Sequence, residues 1–218
     1  MLIITHQSFD NNIKTASLLL DEAQRNLIDI APWKEYPYKP DASFSILYTD
    51  DSILLKYFVK EKDINAVHTE INSSVHKDTC VEFFIAFDDD KEYYNLEFNC
   101  AGTCHAAYGE GRNGRQLLPV DVIQKISYLS TIKNGTKKDD EDFEWELTLA
   151  IPFSVFQSHK IQSLHERKCR ANFYKCGDDL PEPHFLCWND IKAVSPDFHL
   201  PEFFGEAWFV SPVTQPST

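Results

Sequence analysis

Along much of the chain apolar residues recur at every second position, in short runs separated by turn-forming residues. The alternation is plainest in Tyr94-Asn95-Leu96-Glu97-Phe98-Asn99-Cys100, which sets Tyr94, Leu96, Phe98 and Cys100 on one side and Asn95, Glu97 and Asn99 on the other. Successive side chains of a strand point to opposite faces, so this is a strand with one apolar and one polar face. Phe143 to Leu149 opposes Glu144, Glu146 and Thr148 to an apolar face, and Val81, Phe83 and Ile85 oppose Glu82, Phe84 and Ala86. Such aromatic and β-branched runs predict strands over 44–48, 53–59, 81–87, 93–99, 126–132, 143–151, 170–174 and 206–210. Residues 50–51, 88–91 and 134–142 connect them, and the run KNGTKKDDED reads as a solvated hairpin tip. Strands at this spacing without intervening helices predict an all-β fold, an antiparallel two-sheet β-sandwich of jelly-roll or immunoglobulin-like type.

Two segments break the alternation. From Asn12 to Asn26, Ile13, Ala16, Leu19, Leu20, Ala23 and Leu27 follow helical steps and predict an N-terminal amphipathic helix. Pro152 is a favoured first-turn residue and predicts one short helix to about His159. Residues 31–40, APWKEYPYKP, read as an extended segment lying on a core. The expected organisation is a helix and extended segment over 1–41 packed on a sandwich over 42–218, one domain overall.

Composition narrows the partners. The 218 residues carry 21 Lys plus Arg against 34 Asp plus Glu, a net charge of −13 that repels phosphate backbones and anionic lipid. The apolar runs fall far short of the ~20 residues of a membrane-spanning helix. Neither nucleic acid nor a membrane span is expected, and neutral ligands remain. The first residues, MLIITH, show no basic stretch followed by a long apolar one, so no signal peptide is visible. The default is cytoplasmic, with a secreted or periplasmic mature form left open. The six cysteines read as reduced core thiols. Cys100-x3-Cys104-His105 and Cys169-x6-Cys176 lack the tight paired spacing of structural zinc sites. There is no Gly-x-Ser-x-Gly nucleophile signature and no phosphate-cradling glycine loop.

Carboxylates and amides beside aromatic residues on a sheet face suit neutral polyols, because the acids accept hydroxyl hydrogen bonds and the rings cover a sugar's C–H side. An ordinary wet sheet face looks the same. Between Arg170 and Gly205 the chain is dense in aromatics, histidines and prolines, which predicts a long, pinned loop of the kind that hosts binding sites.

At these residues the chain resembles the family 9-like carbohydrate-binding modules, relatives of the DOMON-type β-sandwiches. The resemblance rests on Lys77-Asp-Thr-Cys-Val-Glu-Phe-Phe-Ile85, Tyr93 to Gly102, Glu144 to Pro152, Arg170 to Lys175, and His184 to Trp188 leading into Pro196 to Gly205. It spans about Ala42 to Val210 and implies non-catalytic binding of a terminal sugar, of a plant-type or other polysaccharide or oligosaccharide, between two aromatic walls. Trp188 matches one wall and Glu82 a polar contact beside the other. The second wall is usually tryptophan; here the position holds His76, a smaller and titratable ring, for which Tyr108 or Trp33 could substitute. Asn99, Arg112 and His184 are the candidate hydroxyl readers, Arg112 in the glycine-rich loop Gly109 to Gly114.

The resemblance requires no cofactor and no catalytic residue, and brings calcium as a candidate ion. Asp50-Asp51 and Asp88-Asp89-Asp90 offer carboxylates without a recognisable ligand spacing and read as solvated turns. It also implies a glycoside hydrolase, of endo-xylanase type, as a candidate partner and xylan as a candidate ligand. Two alternatives stand beside it. A glycosidase, or its accessory domain, would use a pair such as Glu82 and Glu97 as acid and base, ~5–5.5 or ~6.5–9.5 Å apart across a cleft. A haem-binding DOMON-type domain would need Met/His ligation, yet the only methionine is Met1.

Overall fold

The computed structural model describes residues 1–133 and 142–211, so the expected hairpin tip at 134–141 lies outside the described residues. Two sheets face each other. The first runs in the order β1 (Leu2–Thr5), β13 (Gly205–Val210), β11 (Lys168–Cys176), β5 (Cys80–Phe87), β6 (Tyr93–Asn99), β7 (Cys104–Glu110) and β8 (Gly114–Leu117), with β12 (Phe185–Cys187) also pairing with β11. The second runs β2 (Asn26–Leu27), β3 (Asp41–Tyr48), β4 (Ser52–Glu61), β10 (Phe143–Pro152) and β9 (Ser127–Ile132). Neighbours pair antiparallel except β1 and β13, which are parallel. This is the expected all-β sandwich.

The predicted strand faces are the observed ones. Val81, Phe83, Ile85, Leu96, Phe98, Trp145, Leu147 and Leu149 all point into the inter-sheet core. Its centre is a pile of rings: Phe44 stacks on Phe173 at 3.6 Å, and Phe173 on Phe83 at 5.0 Å. Helix α1 (Ile13–Glu22) is shorter than its stripe predicted; Asn12 caps it by accepting from the Lys14 amide at 3.0 Å. The chain then turns extended at Ala23, and Asn26 and Leu27 pair with β3 instead of completing the helix. Ala16 and Leu20 bury against Leu47, Leu54 and Ala150 on the outer face of the second sheet. There Lys56 Nζ, almost fully enclosed, reaches Asp21 of α1 at 2.6 Å and Glu146 of β10 at 2.9 Å. The short helix expected from Pro152 is a single 3-10 turn, Phe153–Val155, and a one-turn helix α2 (Val120–Ile123) follows Pro119. None of the helices among the described residues is long and apolar enough to cross a membrane.

One buried polar cluster spans the sandwich. Lys175, on the inner side of β11, lies 3.0 Å from Glu61 Oε2 at the end of β4, both residues being fully enclosed. Its Nζ also donates to the Cys176 carbonyl and to His184 Nε2, each at 2.9 Å, and Trp145 Nε1 donates to Glu61 Oε1 at 2.7 Å. Losing one member of such a pair strands a charge without solvent. Lys175→Met is therefore expected to lower unfolding stability by about 3–5 kcal/mol. The double variant Glu61→Gln/Lys175→Met, which keeps the acceptor for Trp145, should recover most of the loss in urea denaturation. A double variant no more stable than the single would refute this account.

Candidate functional site

The outer face of the first sheet is not wet. Glu82, Asn95, Glu97 and Asn99 are each at most 4% exposed. The segments around Trp33 and Tyr36 and around Ile191 to Phe204 lie over it and pack on Phe84, Tyr93 and Tyr174 as a second apolar cluster. Trp33, from the extended 31–40 segment, sits against Phe198 and donates its Nε1–H to the Ala193 carbonyl at 3.0 Å. Beside this cover lies a groove of about 420 Å³.

Strand register builds its floor. Tyr174, Glu82, Glu97 and His105 stand opposite one another in a row across β11, β5, β6 and β7, and the last three line the groove. His76 enters from the 3-10 turn Val75–Lys77 ahead of β5, its Nδ1 3.8 Å from Glu97 Oε2. Arg112 and Arg115 reach over from the β7–β8 hairpin, whose tightness depends on Gly109: at φ +147°, a Cβ there would lie 2.5 Å from the Gly114 carbonyl oxygen. The expected flexible loop is thus a tight hairpin. Tyr36, Phe185 and Phe198 supply aromatic edges, and Asn72, Ser74, Asp178 and His199 add polar groups to the lining.

The electrostatics of the floor are unbalanced. Burial, then the charge of Glu97, push the Glu82 carboxyl well above its ordinary pKa, although Cys176 Sγ–H donates to its Oε1 at 3.1 Å. Burial and neighbouring Asp179 raise Asp178 to about 6. His76 is lowered by burial despite Glu97, and His199 falls to about 2 through burial and the nearby Arg115 and Arg112. At neutral pH both imidazoles are uncharged, each able to accept as well as donate. Beside the groove, two buried polar atoms have no protein hydrogen-bond partner among the described residues, Arg115 Nη1, 4.0 Å from Glu97 Oε1, and Asn95 Oδ1; a third on this face, Trp208 Nε1, lies away from it on β13. A donor and an acceptor left over on the covered face beside an open groove suit a hydroxyl-rich ligand better than a further protein contact. Glu82 and Glu97 stand side by side on one floor; the glycosidase reading needs carboxyls flanking the scissile bond.

Of the residues singled out by sequence, His76, Glu82 and Arg112 line the groove and the other four do not. Trp188 is half-buried in the opposite direction. In Phe185-Leu186-Cys187-Trp188 the strand alternation sends Phe185 and Cys187 to the outer face and Leu186 and Trp188 inward. The indole meets Phe44 and Phe173 edge-on, and packs so closely on Gly205 that a Cβ there would lie 2.5 Å from it. Its free edge borders a separate recess with Leu2, Ile46 and Leu47. His184 is fully enclosed, accepting from Lys175 and donating Nδ1–H to the Glu182 carbonyl at 3.0 Å; burial and Lys175 lower its pKa to about 3. Asn99 spends its amide on the His68 carbonyl and Asp78, and its Oδ1 on the Ala101 and Thr103 amides, bracing the loop behind the floor. Tyr108 faces the inter-sheet side, on Tyr94 at 4.4 Å, with its hydroxyl on Glu92.

Other sequence candidates are accounted for locally. All six cysteines are free and buried. Asp88 pairs with Arg167 through both oxygens, at 3.0 and 2.6 Å, and Asp90 with His159 at 3.0 Å. A larger recess of about 540 Å³ on the outer face of the second sheet holds charges that pair with each other, Lys60 with Glu144 and Lys133 with Glu146.

Comparison with known proteins agrees with the fold. The sequence profile described as carbohydrate-binding family 9 matches residues 13–209. A crystal structure from Bacteroides uniformis ATCC 8492, described as a "putative carbohydrate-binding protein", is 36% identical, covers 95% of this chain and 98% of its own, and superposes with a TM-score of 0.86. A family 9 carbohydrate-binding module from Caldicellulosiruptor kristjanssonii in complex with glucose is 12% identical, covers 100% and 99%, and has a TM-score of 0.59. The same organism's module in complex with cellotriose is 12% identical, with coverages of 100% and 98% and a TM-score of 0.56. No curated protein matches the chain.

The raised Glu82 pKa has a definite sign. Its folded value exceeds the unfolded ~4.3, so its stabilising contribution is complete below about pH 4.3 and is lost as pH rises through the folded pKa. Glu82→Gln, which fixes the neutral form and keeps the acceptor for Cys176, should raise the thermal midpoint at pH 8, by roughly 2–4 °C for each kcal/mol relieved. At pH 4 the gain should vanish; an equal gain at both pH values would refute the assignment.

Proposed function

The chain belongs to carbohydrate-binding family 9, and on that premise we propose that it binds, without cleaving, the end of an oligo- or polysaccharide in the groove above Glu82 and Glu97. The observation that carries this reading is the unpaired Arg115 Nη1 in a groove where carboxylates and imidazoles, Glu82, Glu97, His76 and His105 among them, lie within the same lining. A sugar hydroxyl accepts from Arg115 while donating to Glu97, joining two groups that stand 4.0 Å apart and lack good direct geometry.

A groove of about 420 Å³ is within the range of small-ligand sites and has room for a mono- or disaccharide end, not for a long chain lying flat. Phe185, Phe198 and Tyr36 are the candidate rings for the apolar side of the pyranose, in place of the Trp188 wall. Neighbours of the same fold are described with glucose and cellotriose, which makes β-linked glucose oligomers the first ligands to try. Few stacking surfaces and a mostly polar lining imply weak binding, with Kd in roughly the micromolar-to-millimolar range.

Calorimetric titration with glucose, cellotriose and xylo-oligosaccharides tests the proposal. Saturable binding to at least one is expected, and Arg115→Met and Glu97→Gln should each weaken it about tenfold or more, a loss of ~1.4 kcal/mol. Trp188→Phe should leave it unchanged. Affinity indifferent to Arg115→Met, or lost in Trp188→Phe while the fold persists, would move the site elsewhere. Release of new reducing ends would overturn the non-catalytic reading.

A further inference from the structure

At the far end of β11 from the groove, three segments distant in sequence meet. His6 follows β1, Asp50 lies in the turn after β3, and His165 lies in the loop ahead of β11. One ring nitrogen from each histidine and a carboxylate oxygen of Asp50 lie within 4.8 Å of one another. We propose that His6, Asp50 and His165 form a binding site for a divalent transition-metal ion of the zinc type, separate from the sugar groove.

The ligand chemistry selects the ion. Two imidazoles and one carboxylate suit zinc and its transition-metal neighbours, whereas calcium and magnesium take oxygen ligands. Three protein ligands leave a fourth position to water.

The surroundings orient the imidazoles. Tyr48, buried at the end of β3, donates its single hydroxyl proton to the Val210 carbonyl at 2.7 Å. Its oxygen, 2.7 Å from His165 Nδ1, must therefore accept from an Nδ1–H, which leaves the lone pair on His165 Nε2. Metal-bound histidines are typically held this way, the distal N–H fixed by a second group. His6 is set more rigidly: its side chain is only 12% exposed, its ring meets Tyr48 edge-on at 5.2 Å, and the next amide, Gln7, donates to the Tyr48 carbonyl at 2.8 Å. Its Nε2 lies 2.9 Å from Asp50 Oδ1, so a proton now occupies the place a cation would take and would leave on binding.

Ligand atoms around a tetrahedral zinc at ~2.0–2.1 Å stand about 3.3 Å apart, so no pair within the 4.8 Å cluster has to close by more than about 1.5 Å. Asp50 and His165 are exposed and can swing through that distance while His6 stays seated. His159 provides the contrast. It has the same partners, a tyrosine hydroxyl at Nδ1 and Asp90 at Nε2, but no second histidine joins it in a cluster. A bound ion would tie the end of β1 to the β3–β4 turn and the start of β11, and would stabilise the folded chain by mass action.

The test uses the tag-free full chain stripped with EDTA. Zinc titrated calorimetrically should bind at one saturable site, and cobalt should give the visible absorption of a four- or five-coordinate nitrogen–oxygen site. His6→Ala, Asp50→Asn and His165→Ala should each weaken zinc at least about tenfold, His159→Gln should not, and zinc should raise the thermal midpoint of the wild type but not of His165→Ala. His165 is exposed, so its removal spares the fold, and an unchanged midpoint without metal confirms that. No saturable binding to the wild type, or an affinity indifferent to His165→Ala, would overturn the proposal. Sugar titration of the same variants should be unaffected, so each site succeeds or fails on its own.

Discussion

A strand covered on both faces cannot discard a polar side chain into water, and β5, β6 and β11 are covered on both faces. On the inner side β11 solves this at Lys175, whose ammonium donates to His184 and the Cys176 carbonyl and lies 3.0 Å from the Glu61 carboxylate. On the outer side Asn99 and Asp78 close on each other and on the His68 segment; burial drives Asp78 up, but hydrogen bonds from Asn99, His68 and Val67 outweigh it and hold its pKa below normal. The row Glu82–Glu97 is closed only in part: Asn95 Nδ2 donates to Glu97 Oε1 at 2.8 Å and Cys176 to Glu82 Oε1 at 3.1 Å. Burial and the charge of Glu97 raise the cost of ionising Glu82, and the nearest cation, Arg115, stays 4.0 Å from Glu97. Beside the groove the accounting of buried hydrogen bonds remains incomplete at Arg115 and Asn95, and an incomplete set of donors and acceptors is what a ligand can complete.

The sandwich tolerates that deficit because its other contacts are tight. Phe44, Phe173 and Phe83 stack through the core, and Lys56 clamps helix α1 to the second sheet through Asp21 and Glu146. Even the floor is anchored from below: the Tyr57 hydroxyl, inside the core, donates to the Glu82 carbonyl at 2.8 Å. The backbone under the site is thereby fixed while the side chains above it await a partner, the preorganisation that a weakly binding site needs.

The fold was legible wherever period-two alternation ran five residues or more. β6 coincides with its predicted 93–99 span, and β4, β5, β10 and β11 differ only at their ends. The missed strands lack that signal: β7 (CHAAYGE) is rich in small residues, β8 (GRQL) is polar, and β1 has four residues. Two of the missed strands carry groove residues that sequence did not assign to the site, His105 on β7, weighed only beside a cysteine pair, and Arg115 on β8. Glu97 was noticed only as a possible acid or base. Asn99 fell to a different cause, since nothing in its strand tells that the next loop doubles back and absorbs both ends of its amide.

Trp188 shows how narrow the margin is. Its tetrapeptide alternates like any strand, but β12 has only three residues and sits between prolines and a long irregular stretch, so its parity could not be read. Pairing Tyr174 with Cys187 settles it: Tyr174 faces outward, Cys187 goes with it, and the indole one residue later must go inward. Shifting β12 by one residue would bring Trp188 out and send Phe185 in. The aromatic lining of the groove is therefore decided by the register of a three-residue strand, while the acids and imidazoles of the floor are fixed by the long central strands. On the proposed reading, residues on the floor set which chemical class of ligand can bind, and the loop from Pro183 to Phe204 sets which member of that class fits.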